Sequence, residues 1–163
     1  MKKKAIIIIS ISVALILCIA FIFSNSLKNG SETSSITGTI KDTVSSALQS
    51  LGLDINIPKN LINILGHFGE FFLLSAVLTV AAALIFPIDF KNVFTKRLWI
   101  YASPIALSVT IAFIDEFIQI FSPGRSSDIM DVLVDAIGAT VANALVMGIV
   151  FIIYAIKKNK SKD

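Results

Sequence analysis

Ionisable side chains interrupt the apolar runs of this sequence near their ends. Asp115 and Glu116 close a run that is uncharged from Leu98 onward, and Asp131 and Asp135, four positions apart, stand early in the next run. Inside a membrane span a charge costs about 2.5–3.5 kcal/mol and normally faces a bundle interior or a wet cavity. Carboxylates in that setting act as general acids or bases, bind cations or hold helices together.

Three further polar side chains belong with these acids. His67 and Glu70 are three positions apart at the start of an earlier apolar run, and Gln119 follows Asp115 by four positions. Residues three or four apart on a helix are neighbours, so each set shares a face. His67 with Glu70 is either a structural hydrogen-bonded pair or a proton-handling site. Arg125, in a short turn, either neutralises nearby acids or binds a phosphate or carboxylate through its planar guanidinium group.

The elements that position these residues are apolar runs long enough to cross a membrane. The chain of 163 residues is 55% hydrophobic and 15% charged, with a mean hydropathy of +0.85. This is more apolar surface than the core of a water-soluble protein of this size could bury. Backbone in lipid must satisfy its own hydrogen bonds, which favours helices. We predict an all-α polytopic membrane protein that is one domain over residues 1–163. Its four transmembrane helices are expected at about 5–23, 65–86, 98–121 and 129–156.

Basic residues predict the orientation, because short loops rich in Lys and Arg stay in the cytoplasm. Ten of the fourteen basic residues lie on one side of the four predicted helices. Both termini are therefore predicted to be cytoplasmic in a multi-pass protein of the cell membrane. Trp99 and Tyr101 then fall at the inner membrane interface, where amphipathic rings are common. The ten residues are Lys2, Lys3, Lys4, Lys91, Lys96, Arg97, Lys157, Lys158, Lys160 and Lys162.

This orientation brings the polar residues to one level. The second helix begins at the extracytoplasmic face, the third ends there and the fourth begins there, so their polar ends converge. We predict an extracytoplasmic polar cavity with ligand-binding residues from all three helices. These residues are His67, Glu70, Asp115, Glu116, Gln119, Arg125, Asp131 and Asp135.

The first outer loop, residues 24–64, has two parts. Its Ser- and Thr-rich stretch over 31–43 is typical of flexible chain, whereas Ile40, Val44 and Leu48 recur at helical spacing. A short amphipathic helix on the outer membrane surface is predicted there. Gly52 is expected to end this helix, and Pro58 to precede the second transmembrane helix.

Acids outnumber bases in the predicted cluster, where six carboxyl groups, the five named above and that of Asp128, meet one arginine and one histidine. Either some carboxyl groups are protonated, or a cation such as Mg²⁺ or Ca²⁺ supplies the missing charge. Nothing indicates nucleic-acid binding, since the net charge of +3 reflects topology. The candidate metal ligands are Glu70, Glu116, Asp131 and Asp135. The candidate catalytic residues are His67, Glu70, Asp115 and Glu116.

Three separated segments together resemble the signature of VanZ-like membrane proteins. They are His67-Phe68-x-Glu70, then Asp115-Glu116-x-x-Gln119-x-Phe121-x-Pro123-Gly124-Arg125, then Asp131 with Gly138. The chain departs from the pattern at Asn63-Ile64, where a basic residue is frequent, and at Asp135, where Asn is common. The resemblance implies an association with resistance to glycopeptide antibiotics, teicoplanin in particular, in Gram-positive bacteria.

Three function classes stay open from the sequence. In the first, the cavity binds a lipid-linked cell-wall molecule or a lipoglycopeptide, and resistance follows from lowered drug access. In the second, an intramembrane hydrolase or transferase acts on a lipid-linked phosphate or glycan, with Glu116 or Glu70 as base, His67 as proton carrier and Arg125 stabilising negative charge. That enzyme could use a divalent metal, although no nucleophile motif is present. In the third, the polar residues have a structural role and hold the helices together through interhelical hydrogen bonds.

Overall fold

The computed structural model describes residues 2–86 and 98–160, and all regular structure among them is α-helical. Four of the five helices are long and apolar enough to cross a membrane, which confirms the predicted all-α class and the number of spans. The protein therefore contacts the lipid bilayer. The helices are α1 (Lys2–Ser26), α2 (Gly30–Ser50), α3 (Lys59–Ile85), α4 (Leu98–Gln119) and α5 (Ile129–Lys160).

The observed helix ends differ from the predicted ones by a few residues. α3 begins directly after Pro58, whose extended backbone precedes the first turn, and this is six residues earlier than predicted. α5 continues to Lys160, four residues beyond its predicted end. The chain after Phe86 that was expected to close the second span, with Pro87 and Asp89, lies outside the described residues. The same holds for the loop bases Lys91, Lys96 and Arg97.

α2 is longer than the predicted short helix, because the Ser- and Thr-rich stretch is helical too. Asn29 and Glu32 form a capping box that satisfies the free backbone N–H groups of the first turn. Inside the helix, the hydroxyl groups of Thr37, Thr39 and Thr43 each donate to the carbonyl oxygen four residues earlier. These bonds give the hydroxyl groups partners without interrupting the helix. The expectation of flexible chain over 31–43 is therefore wrong.

α3 and α5 form the most extensive helix pair of the bundle. Gly138 permits this, since a Cβ there would lie 2.5 Å from the carbonyl oxygen of Phe68. Ala139, the next residue, and Ala142, one turn further along α5, are fully buried. These small residues of α5 thus make a close helix contact of the kind that membrane proteins use. The buried apolar core consists of Ile22, Phe71, Leu74, Ala112 and Val132.

Buried polar groups also join the helices away from the acidic cluster. Ser75 donates to the Ala139 carbonyl oxygen at 2.8 Å, and the Asn143 amide donates to Thr79 Oγ1 and to the Tyr101 carbonyl oxygen, both at 3.0 Å. Tyr101 is itself buried at 4% exposure in this packing of α4 against α3 and α5, whereas Trp99 is 86% exposed. The position of both rings at the inner membrane interface stays a prediction.

Candidate functional site

Four helix ends meet at one end of the bundle, which we call the polar end. α1 ends there and α3 begins there; α4 ends there and α5 begins there. The loop between α4 and α5 closes this end, and α2 lies beside it against α3. Every predicted ligand-binding residue lies at this end, as expected from the antiparallel order of the helices.

His67 of α3 faces two acids of α5. Its Nδ1 atom lies 3.2 Å from Asp135 Oδ1, and its Nε2 atom lies 3.7 Å from Asp131 Oδ2. Asp135 is completely buried, and within the described residues neither of its oxygens accepts a well-aligned hydrogen bond. His67 therefore faces a carboxyl group that has lost all contact with solvent, where an unpaired charge would be costly.

The acidic pair of α4 is held by neutral donors. Gln119 donates from Nε2 to Asp115 Oδ2 and to Glu116 Oε1, each at 3.0 Å. The other Asp115 oxygen accepts from the Ser26 hydroxyl of α1, and the other Glu116 oxygen accepts from the Asp128 backbone N–H at 2.7 Å. Both carboxyl groups are almost fully buried. Asp115 thus links α4 to α1, and Glu116 links α4 to the start of α5.

Glu70 contacts a part of α1 that the sequence argument did not include. Its Oε1 atom accepts a hydrogen bond from Asn25 Nδ2 at 2.7 Å. The Asn25 side-chain oxygen accepts from Lys28 Nζ at 2.6 Å, and its backbone oxygen accepts from Arg125 Nη1 at 3.1 Å. Asn25 therefore connects an acid and two cations.

A tight turn places Arg125 against α1. The Ser122 hydroxyl donates to the Ser26 carbonyl oxygen at 2.6 Å, and the Gly30 N–H donates to the Pro123 carbonyl oxygen at 2.9 Å. Gly124 has a φ of +74°, a conformation that favours glycine. A Cβ at Gly30 would lie 2.2 Å from the Gly124 oxygen, so two glycines let the segments touch. The turn holds the guanidinium group at the polar end.

A cavity of about 540 Å³ opens beside these residues, between α1, α2 and α3. Five predicted residues line it: His67, Glu70, Asp115, Gln119 and Arg125. Lys28 and Asn25 line it as well. The other three predicted residues, Glu116, Asp131 and Asp135, are not part of its wall.

The match to a known family covers most of the chain. The model of the VanZ/LLP1 family matches residues 11–154. The chain belongs to the VanZ/LLP1 family. No curated protein and no solved structure matches it significantly. Membership supports a VanZ-like multi-pass membrane protein, linked to resistance at the level of the family.

In this VanZ-like chain, one group of side chains at the polar end has the spacing of metal ligands. His67, Asp115 and Glu116 each offer one ligand atom, and these atoms lie within 4.8 Å of one another. One imidazole and two carboxylates suit Zn²⁺ or Mn²⁺ better than Mg²⁺ or Ca²⁺, which prefer oxygen ligands. Of the four predicted metal ligands, the described structure brings only Glu116 into this group.

Sequence reasoning missed three polar residues of the VanZ-like site: Asn25, Ser26 and Lys28. A signal was present, because a Ser-Asn-Ser run follows directly after the first apolar run. The predicted order of helices places that run at the same end as the acids. Their role depends on how α1 is rotated, which the sequence pattern does not determine.

Proposed function

We propose that this protein binds the anionic head group of a lipid-anchored amphiphile in the polar cavity. The amphiphile is a lipid-linked molecule of the cell envelope or a lipoglycopeptide such as teicoplanin. Its capture lowers the access of the drug to its target and so produces resistance. The observation that carries the proposal is the pair of cations at the cavity, Lys28 and Arg125.

Neither cation forms an ion pair with a carboxylate within the described part of the chain. Lys28 and Arg125 bond instead to the side chain and the backbone of Asn25. The acids nearby take their hydrogen bonds from neutral donors, among them Asn25 for Glu70 and Gln119 for Asp115. The two positive charges are therefore available to an incoming phosphate or carboxylate, which the guanidinium fork can hold through two parallel bonds.

The remaining cavity wall suits the apolar part of an amphiphile. Phe21 of α1, Ile36 and Ile40 of α2 and Leu73 of α3 line it, and all four are exposed at its surface. Ligand sites are commonly apolar cavities with a few convergent polar groups that orient the ligand. A molecule with a charged head and a hydrocarbon chain matches both parts of this wall.

The same proposal places the polar end on the extracytoplasmic side. The bases that flank the other ends of the helices, such as Lys4, Lys157 and Lys158, favour a cytoplasmic position. The exposed apolar side chains of Ile40 and Val44 in α2, and of Leu51 directly after it, then meet the outer leaflet. Lipid-linked wall precursors and glycopeptides are both encountered on that side.

One observation favours a second candidate, an intramembrane hydrolase or transferase that acts on a lipid-linked phosphate or glycan. The ligand atoms of His67, Asp115 and Glu116 lie close enough to hold a divalent metal. Such a metal polarises a phosphoryl oxygen and lowers the pKa of a bound water. In this candidate Arg125 stabilises negative charge on the substrate, and the reaction would take place at the inner end of the cavity.

The test is teicoplanin susceptibility of a sensitive Gram-positive host that expresses the protein, with membrane abundance measured in parallel. Wild type is expected to protect, whereas the site variants fail at normal abundance. Asp54→Asn, an exposed position outside the cavity, is the control that should protect like wild type. Equal protection by the site variants would contradict the proposal, as would no protection by wild type. The site variants are His67→Ala, Glu70→Gln, Glu116→Gln and Arg125→Ala.

A further inference from the structure

We propose that the face between α1 and α3 is an acyl-chain groove that continues the polar cavity, and that its occupant is one chain of a phosphate-bearing membrane lipid. This inference rests on the proposed function and specifies the ligand. The phosphate lies between Lys28 and Arg125, and the chain of the same molecule runs along α3 toward Val80.

The first observation is a second cavity between the same two helices. It has a volume of about 290 Å³ and lies further from the polar end. Apart from one serine hydroxyl, its side chains are hydrocarbon. The lining residues are Ser10, Ile11, Ala14, Ala76, Val77 and Val80.

The second observation is that both cavities lie on one face of each helix. On α3 the lining residues pass from Glu70 through Leu73 and Ala76 to Val80, in steps of three or four. On α1 the step from Phe21 of the first cavity to Ala14 of the second is two helical turns. Residues at these spacings share a helix face, so the second cavity extends the line of the first.

The third observation is the sparse packing of α1. Only 6% of its apolar window is buried, compared with 33% in α3 and α4. Its contacts with the core come from the half nearer the polar end, between Leu15 and Phe23. Beyond that half, small side chains such as Ala14 and Ala76 would allow close helix contact, yet a cavity lies between them. Hydrocarbon is the material of the bilayer that fits an apolar gap of this kind.

Dimensions agree with an acyl chain. Glu70 and Val80 are ten residues apart, which corresponds to about 15 Å along a helix. This equals about half of the hydrocarbon thickness of a bilayer, the depth of one leaflet. A chain whose head group is held near Glu70 therefore ends close to Val80.

The experiment uses the full chain in phosphatidylcholine nanodiscs with a small fraction of phosphatidic acid that carries a diazirine at the end of one acyl chain. After photolysis, peptide mass spectrometry locates the adducts. We expect them to concentrate on residues 10–14 and 76–80 and to decrease when unlabelled phosphatidic acid is added. Adducts spread evenly over exposed residues of α4 and α5, such as Phe113 and Ile137, would overturn the groove.

Variants that fill the groove provide the second arm. Ala14→Leu and Ala76→Leu should each weaken binding of long-chain phosphatidic acid about tenfold, as expected when roughly two methylene groups lose their contacts. Val13→Leu, on an exposed part of α1 outside the groove, is the matched control and should bind like wild type.

A short-chain phosphatidic acid separates the inference from the function on which it rests. Its head group reaches Arg125 without filling the groove, so its binding should survive Ala76→Leu and be lost in Arg125→Ala. If wild type binds neither the short-chain nor the long-chain lipid, the proposed function and the groove both fail. If it binds both equally and Ala76→Leu changes nothing, the groove alone fails.

Discussion

Gly138 of α5 and Phe68 of α3 are in backbone contact, since a Cβ at position 138 would lie 2.5 Å from the Phe68 carbonyl oxygen. Phe68 is next to His67 in the chain, and Gly138 lies one turn after Asp135. The glycine therefore determines how closely His67 approaches the buried acid, which is 3.2 Å away. The same contact therefore determines both how α3 packs against α5 and how His67 is placed beside Asp135.

Gly138→Ala should separate α3 from α5 and destabilise the protein. Overpacking of a tight contact typically costs about 1–3 kcal/mol, and here the obstacle is backbone, which cannot move aside as a side chain does. The measurement is the unfolding midpoint in detergent. Gly148→Ala is the matched control on the same helix, because a Cβ there meets nothing within 4 Å. A Gly138→Ala variant as stable as the Gly148→Ala variant would contradict the assigned contact.

Asn25→Ala should lower protection against teicoplanin far more than it lowers stability. Interhelical hydrogen bonds in membrane proteins contribute about 0.6 kcal/mol on average, so folding should survive. Protection should fall because Glu70 and Lys28 both lose the side chain that positions them, whereas the bond from Arg125 to the backbone oxygen of residue 25 remains. Ser24→Ala is the control, since the exposed Ser24 hydroxyl donates to the Phe21 carbonyl oxygen of its own helix. If the two variants protect equally, Asn25 has no part in the site.

Divalent metal distinguishes the two candidate functions. If the metal-dependent enzyme is correct, Zn²⁺ at 100 times its Kd should stabilise wild type by about 2.7 kcal/mol. Its effect should be lost in His67→Ala and in Asp115→Asn. Glu70→Gln lies outside the group of three ligands and should keep the response. The binding account expects no metal-dependent shift of the unfolding midpoint, so a shift with this pattern would favour the enzyme.

Cysteine labelling tests the orientation. In a Cys18→Ser background, Ser126→Cys should react with a membrane-impermeant maleimide in intact cells, because the α4–α5 loop is predicted to be extracytoplasmic. Asn159→Cys, near the end of α5, should react only after the cells are permeabilised. Both positions are exposed. The opposite pattern would place the polar end in the cytoplasm and exclude direct capture of extracellular drug.

Much of the fold could be predicted from the sequence because it depends on local properties. Apolar length identifies the four spans, and spacing on a helix predicts that Asp115 and Gln119 share a face; these two are indeed hydrogen-bonded. The start of α2 follows from a capping box that is visible in the sequence at Asn29 and Glu32, yet composition pointed to flexible chain. The prediction of a single domain over 1–163 stays a prediction.

Which of the predicted site residues line the cavity could not be predicted from the sequence. Glu70 and Asp115 line the cavity, whereas Glu116 and Asp135 do not, and this depends on the rotation and depth of each helix in the bundle. Rotation follows from contacts between residues far apart in the chain, such as Phe68 with Gly138 and Ser26 with Asp115. A sequence pattern locates each face but does not determine which partner it meets.

We expect Lys28 and Arg125 together to make the polar cavity a site for an anionic head group. The most direct measurement is native mass spectrometry of the purified protein with phosphatidic acid and phosphatidylcholine of identical chains. We expect wild type and the Lys41→Gln control, a base outside the cavity, to prefer phosphatidic acid about tenfold, as charge-assisted bonds predict. The double variant Lys28→Gln with Arg125→Gln should lose that preference. A wild type without the preference, or a double variant that keeps it, would contradict the account.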